Sequence, residues 1–192
     1  SWTIGYTGSI TNSYVYDGNG GMWLNLDGSN VPSWSNAFLA NDGREVWLPS
    51  RQHYSLDYQR KIFVPDNDSY VRYLELFSNS TQSDITVLVR IESDFDSDGS
   101  TTVVETSSGD TLISVPDDYV ITDDADGTGD PTLVHLFSGI DSPVLEPETV
   151  ELYITDNLYY TFRLTVPAGE QRILMHFGSQ NPDRASARAQ AQ

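Results

Sequence analysis

The chain contains no cysteine, and this absence excludes disulfide bonds and thiolate chemistry. Basic residues are also scarce: 10 of them stand against 28 acidic residues, the formal net charge is −18, and Lys61 is the sole lysine. A charge of this sign repels nucleic acid phosphates and anionic membrane surfaces, so we expect neither as a partner. No apolar run approaches the roughly 18 residues that a membrane-spanning helix needs, so we predict no membrane insertion.

What is present points to one folded domain over residues 1–192. A chain of 192 residues with 38% hydrophobic content can bury a single core. The excess acid has two readings that can coexist, namely cation-binding loops or adaptation to salty water. A secreted domain without disulfide bonds is stabilised either by a sufficiently large core or by another cross-link. A metal ion is the obvious candidate for such a cross-link. The start at Ser1-Trp2, without an initiator methionine, is typical of an excised domain or a mature fragment.

Hydrophobic residues recur with a period of two, which predicts an all-β protein. Val87, Val89 and Ile91 alternate with polar or outward positions, and the segment 160–166 repeats the pattern. Turn signals such as Asp-Gly divide the chain at intervals typical of a sandwich or barrel. The many short segments predict a large antiparallel two-sheet sandwich, supersandwich-like, in which residues 2–7, 13–17 and 111–122 are also strands.

The last residues predict a short C-terminal helix. Residues 181–192 are rich in Ala, Arg and Gln, which have high helix propensity, and Pro182 can occupy the first helical position. We expect this helix to lead away from the last strand toward a following domain.

Four segments carry a resemblance to known proteins: residues 60–65 (RKIFVP), 70–79 (YVRYLELFSN), 129–135 (GDPTLVH) and 166–177 (VPAGEQRILMHF). Through them the chain, over roughly residues 58 to 192, resembles β-sandwich accessory modules of long, multidomain bacterial extracellular proteins, including adhesin-like chains. It also resembles the supersandwich domains found beside some glycoside hydrolases. The resemblance implies an extracellular module without a catalytic signature, so no functional residue is carried over.

An Asp-rich turn between two predicted strands is the first candidate metal site. Asp94, Asp96 and Asp98 are separated by single residues and followed by Gly99, a pattern that suits Ca²⁺. Glu105 would complete an EF-hand loop, but the flanks are strand-like, and at about 3.3 Å per residue it would lie too far away. The alternative to a partial calcium loop is a solvated, acidic hairpin turn.

A second acidic turn contains Asp124, Asp126 and Asp130 with two flexible glycines. A count of strand directions predicts that it lies at the same end of the sandwich as the first turn, provided that 111–122 crosses the sheet once. Carboxylates crowded at one end repel each other, and a divalent ion would relieve that repulsion. We therefore predict structural Ca²⁺ at this end, with an acidic turn in water again as the alternative.

Aromatic and titratable residues give weaker indications. Trp23 and Trp34, beside Gly-, Ser- and Asn-rich loops, are candidates for stacking on sugar rings, although aromatic residues more often fill sandwich cores. The three histidines show no metal-ligand spacing, and two lie inside apolar strands. No Gly-x-Ser-x-Gly nucleophile motif occurs, and with 28 acidic residues some carboxylate pair is inevitable and proves nothing.

Together these observations predict a non-catalytic, extracellular, structural or adhesive module of a larger bacterial surface protein, stabilised by Ca²⁺. We expect it to be a monomer whose partners are neighbouring domains of the same chain, with a glycan or another cell-surface ligand as a further partner. Two alternatives stay open: a carbohydrate-binding module, and an accessory domain of a glycoside hydrolase.

Overall fold

The computed structural model describes residues 2–11, 14–18, 20–139 and 145–192. Within these ranges the chain forms fourteen strands and one α-helix. In chain order they are β1 (Trp23–Leu26), β2 (Ser29–Asn30), β3 (Phe38–Ala40), β4 (Glu45–Trp47), β5 (Arg51–His53), β6 (Leu56–Phe63), β7 (Tyr70–Asn79), β8 (Ile85–Asp94), β9 (Thr102–Thr106), β10 (Tyr119–Asp123), β11 (Thr132–Leu136), β12 (Thr149–Tyr153), β13 (Asn157–Val166), β14 (Gln171–Asn181) and α1 (Arg184–Ala191).

Two antiparallel sheets form the predicted sandwich. The smaller sheet has the order β12-β13-β8-β1-β2, and the larger has the order β3-β4-β6-β7-β14-β11-β10-β9, with β5 paired to β6. Strand alternation explains the packing, since Val87, Val89 and Ile91 of β8 are buried while their neighbours in sequence face outward. The all-β, two-sheet prediction is confirmed.

Three predicted strands differ from the structure. Residues 2–7 and 13–17, of which 13 lies outside the described residues, contribute isolated bridges at Ile4 and Tyr16 instead of strands. In the segment 111–122, only the part from Tyr119 is extended in a strand, because Asp117 accepts hydrogen bonds from Ser114 and Ser108 and so folds the preceding residues into a turn. Side-chain to backbone bonds of this kind compete with strand pairing.

The C-terminal helix is confirmed, but it lies against the larger sheet. Ala187 and Ala191 are buried against the outward side chains of Tyr119, Ile121 and Val134. The expected role of Pro182 as the first helical residue is wrong. Asp183 is the N-cap, its carboxylate accepts a hydrogen bond from the Ser186 amide at 2.7 Å, and the helix begins at residue 184.

A charged network crosses the core between the sheets. Arg60 of β6 and Glu75 of β7 are register partners with 0% and 1% exposure, and their side chains meet at 2.6 Å (Nη2 to Oε1). His176 Nε2 lies 3.0 Å from Glu75 Oε1, and its Nδ1 lies 3.0 Å from the Tyr160 hydroxyl of the smaller sheet. Because buried charges are costly unless they are paired, this network fixes how the two sheets meet.

The same arginine anchors the chain that precedes β1. Arg60 Nη1 donates to the backbone carbonyls of Gly8 at 3.1 Å and Met22 at 2.8 Å. Gly8 has a φ of +70°, and a Cβ at this position would lie 2.9 Å from the Arg60 side chain, so glycine permits the close approach. The N-terminal segment is therefore held by hydrogen bonds to a buried charge, although it contributes no regular strand.

Candidate functional site

The ends of β8 and β10 bring the predicted acidic turns to one end of the sandwich. We call this end the acidic pole; it consists of residues 94–101 and 123–131 together with Asp17 and Asp156. Asp123 pairs with Thr102, at the start of the strand that follows the first turn. Residues 14–18 lie alongside, since the Asp17 amide donates to the Asp94 carbonyl at 3.1 Å and the Asp96 amide donates to the Val15 carbonyl at 3.2 Å.

Asp94 belongs to a first group of carboxylates with Asp17 and Asp156. Burial, followed by the charges of Asp17 and Asp156, raises the pKa of Asp94 to about 6. A side-chain hydrogen bond with Asp17 contributes in the same direction. Asn157 Nδ2 donates to Asp94 Oδ1 at 3.1 Å and to Asp156 Oδ1 at 2.6 Å, which holds the group together.

Gly18 permits this group to form. Its φ is +50°, and a Cβ at this position would lie 2.1 Å from Asp94 Oδ2, closer than any side chain allows. Asp17 and Asp156 were not among the predicted site residues. Sequence spacing gives no signal for them, because the isolated bridge between Tyr16 and Phe95 brings in Asp17, and the pairing of β13 with β8 brings in Asp156.

A second group contains Asp96, Asp98, Asp124 and Asp130. Burial, followed by the charges of Asp124, Asp96 and Asp98, raises the pKa of Asp130. Since these residues come from both turns, the two acidic turns do lie close together at one end. Asp124 folds over its own turn, where a Cβ on Gly129 would lie 2.2 Å from Asp124 Oδ2.

Asp126 lies apart from both groups. Its Oδ1 accepts the Arg184 amide at 3.0 Å, at the start of α1. Glu105 likewise turns away, because its carboxylate pairs with Arg188 Nε at 2.6 Å on the helix. The rejection of an EF-hand loop is consistent with this placement.

No ready-made metal cage is present in the described ranges: no three His, Asp or Glu side chains there converge closely enough to hold an ion. The six predicted ligands divide into Asp94, the group of Asp96, Asp98, Asp124 and Asp130, and Asp126 beside the helix. Calcium binding therefore stays a prediction, one that would require carboxylates of the second group to move together. What the pole does provide is closely spaced acidic oxygens and one carboxyl group, that of Asp94, whose pKa is raised to about 6.

The two predicted sugar-stacking tryptophans have different fates. Trp34 is 3% exposed, its Nε1 donates to the Pro49 carbonyl at 2.9 Å, and its ring meets Tyr58 edge-on. This corrects its assignment as a ligand-binding residue, because aromatic burial in the core leaves no ring face for a sugar. Trp23 is partly exposed on the outward face of the smaller sheet, where it pairs with Glu92. Its role in ligand binding stays a prediction.

The histidines are packed or paired, as expected. His135 and His176 are fully buried, and burial lowers the pKa of both, that of His135 to about 3. His53 is a surface residue whose Nε2 lies 2.8 Å from Asp27 Oδ2. In the described residues, no helix is long and apolar enough to cross a membrane.

Comparison with known proteins identifies fold relatives only. No protein-family model matches the chain, and no curated protein matches it in sequence. Among solved structures, it is similar to the heparan sulfate lyase HepC from Pedobacter heparinus (TM-score 0.53, 14% identity, 83% of this chain and 24% of that one) and to a mutant of that enzyme (TM-score 0.54, 13% identity, 85% and 24%). A further polysaccharide lyase matches with a TM-score of 0.52 and 12% identity, over 99% of this chain and 30% of that one.

At identities of 12% to 14%, these structures show a likeness of fold alone. The chain spans about a quarter of the length of the heparan sulfate lyases.

Proposed function

We propose that this chain is a non-catalytic accessory module of a larger extracellular protein that acts on polysaccharides. One observation carries the proposal: 83% to 99% of the chain shares its fold with polysaccharide lyases, yet it covers only 24% to 30% of their length. A unit of this kind corresponds to one module of a chain several times longer. Fold likeness alone does not assign an activity, so the role rests on the features below.

Charge and burial favour a scaffold over a catalytic domain. A net charge of −18 repels a sulfated or otherwise anionic glycan, so the surface is poorly suited to holding such a polymer by itself. The two core histidines are fully buried and cannot reach a substrate as general acids or bases. The two extensive sheets and the paired core charges instead provide a rigid body against which other domains can pack.

The full coding sequence around this chain tests the proposal. A polysaccharide-degrading catalytic domain in the same chain is the expected result. A series of β-sandwich modules without such a domain would refute it and would favour the adhesive role instead. In a parallel assay, the purified module is incubated with neutral and sulfated polysaccharides, and we expect no cleavage products by size-exclusion chromatography.

The variant Asp94→Asn tests the alternative that the module is itself catalytic. If the isolated module does cleave a polysaccharide, then Asp94→Asn should abolish the activity only if this carboxyl group, with its pKa of about 6, is the acid or base. Cleavage of any kind by the pure module would remove the non-catalytic part of the proposal.

A further inference from the structure

A cleft of about 550 Å³ opens beside the acidic pole, between the N-terminal segment and the loop that joins β6 to β7. This volume lies within the range of small-molecule sites, which is about 300 to 1,000 Å³. Neither the predicted metal ligands nor the predicted sugar-stacking tryptophans line it. The main lining residues are Trp2, Arg44, Asp66, Asp68, Ser69 and Gln180.

One side of the cleft is apolar and aromatic. Trp2 is partly exposed and packs against the hydrophobic core, as do Val46 and Val64 nearby. A tryptophan supported from behind by the core and open on the cleft side offers a rigid, flat surface. Such a surface suits the C–H face of a sugar ring, since an aromatic side chain adds contact area with little loss of conformational freedom.

The cleft is also lined by polar groups, among which Arg44 is anchored to backbone carbonyls. Arg44 Nε donates to the Val64 carbonyl at 2.8 Å and lies 2.9 Å from Asp66 Oδ1, while Nη2 donates to the Pro65 carbonyl. Asp68 Oδ1 accepts the Ser69 amide at 2.8 Å. The anchored Arg44 guanidinium and the neighbouring carboxylates give the cleft both donors and acceptors.

Gln180 supplies a second, independent indication of a ligand. Its backbone amide donates to the Ser69 carbonyl at 3.1 Å, which places the residue at the cleft. Its side-chain Nε2 is inaccessible to solvent, and no hydrogen-bond acceptor for it exists among the residues that the structure describes. A buried amide nitrogen without a partner is costly, and an acceptor provided by a bound molecule would remove that cost once the Gln180 side chain turns toward the cleft.

We infer that this cleft binds one neutral sugar unit of a glycan chain. The aromatic wall suits a pyranose face, and the paired Arg44 and Asp66 with Asp68 suit hydroxyl groups, which both donate and accept hydrogen bonds. One arginine against two aspartates gives the cleft a net negative charge, so sulfated and carboxylated units are disfavoured. The inference rests on the proposed carbohydrate-related role and names the ligand class of the module.

Titration with neutral oligosaccharides, followed by NMR, tests the inference. The probes are gluco-, galacto-, manno- and xylo-oligosaccharides, with a sulfated disaccharide as the charged comparison. We expect at least one neutral probe to shift the Gln180 side-chain amide and the Trp2 indole resonances, and the sulfated probe to leave both unchanged. If no neutral probe shifts these resonances, or if the sulfated probe binds more tightly, the inference is wrong.

Variants locate the binding site. Trp2→Ala should weaken binding about tenfold or more, as expected for the loss of an aromatic platform. The matched control is Trp47→Ala, which removes an exposed tryptophan that does not line the cleft; equal affinity of this variant is expected. A reversed result would overturn the assignment of the cleft.

Gln180→Leu keeps the test decisive if Trp2→Ala unfolds. The side-chain Nε2 has no partner to lose within the described part of the chain, so this variant should fold and should bind at least about threefold more weakly. Unchanged affinity of Gln180→Leu would count against the cleft. Failure here is distinguishable from failure of the proposed function, because the coding sequence reports on the host protein and the titration reports on the cleft.

Discussion

Arg60 and Glu75 form an ion pair with almost no solvent contact, and Glu75→Gln measures how strongly the fold depends on it. Glutamine keeps the shape of the side chain but removes the negative charge. Glu75 accepts from Arg60 Nε at 2.8 Å, meets Nη2 at 2.6 Å and contacts His176 at 3.0 Å. These contacts and the Arg60 charge lower the pKa of Glu75 although burial raises it, so the carboxylate is ionised at neutral pH.

Breaking a buried ion pair by removing one partner costs about 3–5 kcal/mol, because the other charge is left uncompensated. Domains are stable by about 5–15 kcal/mol, so Glu75→Gln should remove a large part of the total. Urea unfolding at neutral pH, monitored by tryptophan fluorescence, gives the free energy of unfolding. Glu148→Gln is the matched control: it opens an exposed pair with Arg163 and should cost no more than about 1 kcal/mol.

Repeating Glu75→Gln in a protein that lacks Arg60 makes the test more stringent. In an Arg60→Met protein, Glu75 is a buried carboxylate without its cation, so the further change Glu75→Gln should be neutral or stabilising. The reasoning would be refuted if Glu75→Gln cost no more than Glu148→Gln. It would be refuted equally if the cost of Glu75→Gln were the same with and without Arg60.

Four further predictions concern acidity, metal and the helix. Lowering the pH from about 7.5 to about 5 should reduce the free energy of unfolding by about 2 kcal/mol through His135. The pKa of His135 is about 3 in the folded protein and 6.5 ordinarily, so between these values only the unfolded chain binds the proton, and stability is lost as the pH falls. His135→Gln should remove this part of the pH dependence of urea unfolding, and an unchanged slope would contradict it. Asp94→Asn should stabilise the protein at about pH 7.5 by at most about 1 kcal/mol, because it relieves repulsion that solvent partly screens; the gain should shrink as the pH falls below the folded pKa of about 6 and vanish only near the ordinary pKa of 3.8, where the unfolded chain is protonated as well. If the acidic pole binds Ca²⁺, millimolar Ca²⁺ should raise the melting temperature, chelator should reverse the rise, and Asp130→Asn should diminish it; identical melting curves would remove calcium from the account. Asp183→Ala should lower the urea midpoint through loss of the N-cap, whereas Asp183→Asn should retain most of the stability.

Local sequence patterns were sufficient to predict the two-sheet architecture, but not the conformation of the N-terminal segment. The alternation in β8 and β13 has a physical cause, since successive side chains on a strand point to opposite faces, and it predicted both strands correctly. Residues 2–7 have a similar apolar content, yet they form only an isolated bridge at Ile4, and the contact with Arg60 is made by the Gly8 carbonyl just beyond them. Propensity does not distinguish these two outcomes, because tertiary contacts decide the second.

The acidic pole was likewise predictable from the sequence only in part. The closeness of the two acidic turns follows from strand direction, which can be counted along the chain, and the effect of Asp96 and Asp98 on the pKa of Asp130 agrees with that count. The link of Asp94 to Asp17 and Asp156 does not follow from such a count, because it depends on an isolated bridge at Tyr16 and on which strand pairs with β8.

By itself, then, the amino-acid sequence determined the all-β class, the acidic surface, the C-terminal helix and the meeting of the two turns, because each depends on periodicity, composition or chain direction. Tertiary structure alone decided that Arg60, Glu75 and His176 join in the core, that Trp34 is buried, and that Trp2 and Gln180 share a cleft. Each of these contacts joins residues far apart in sequence, and their energies depend on burial, which no local pattern encodes.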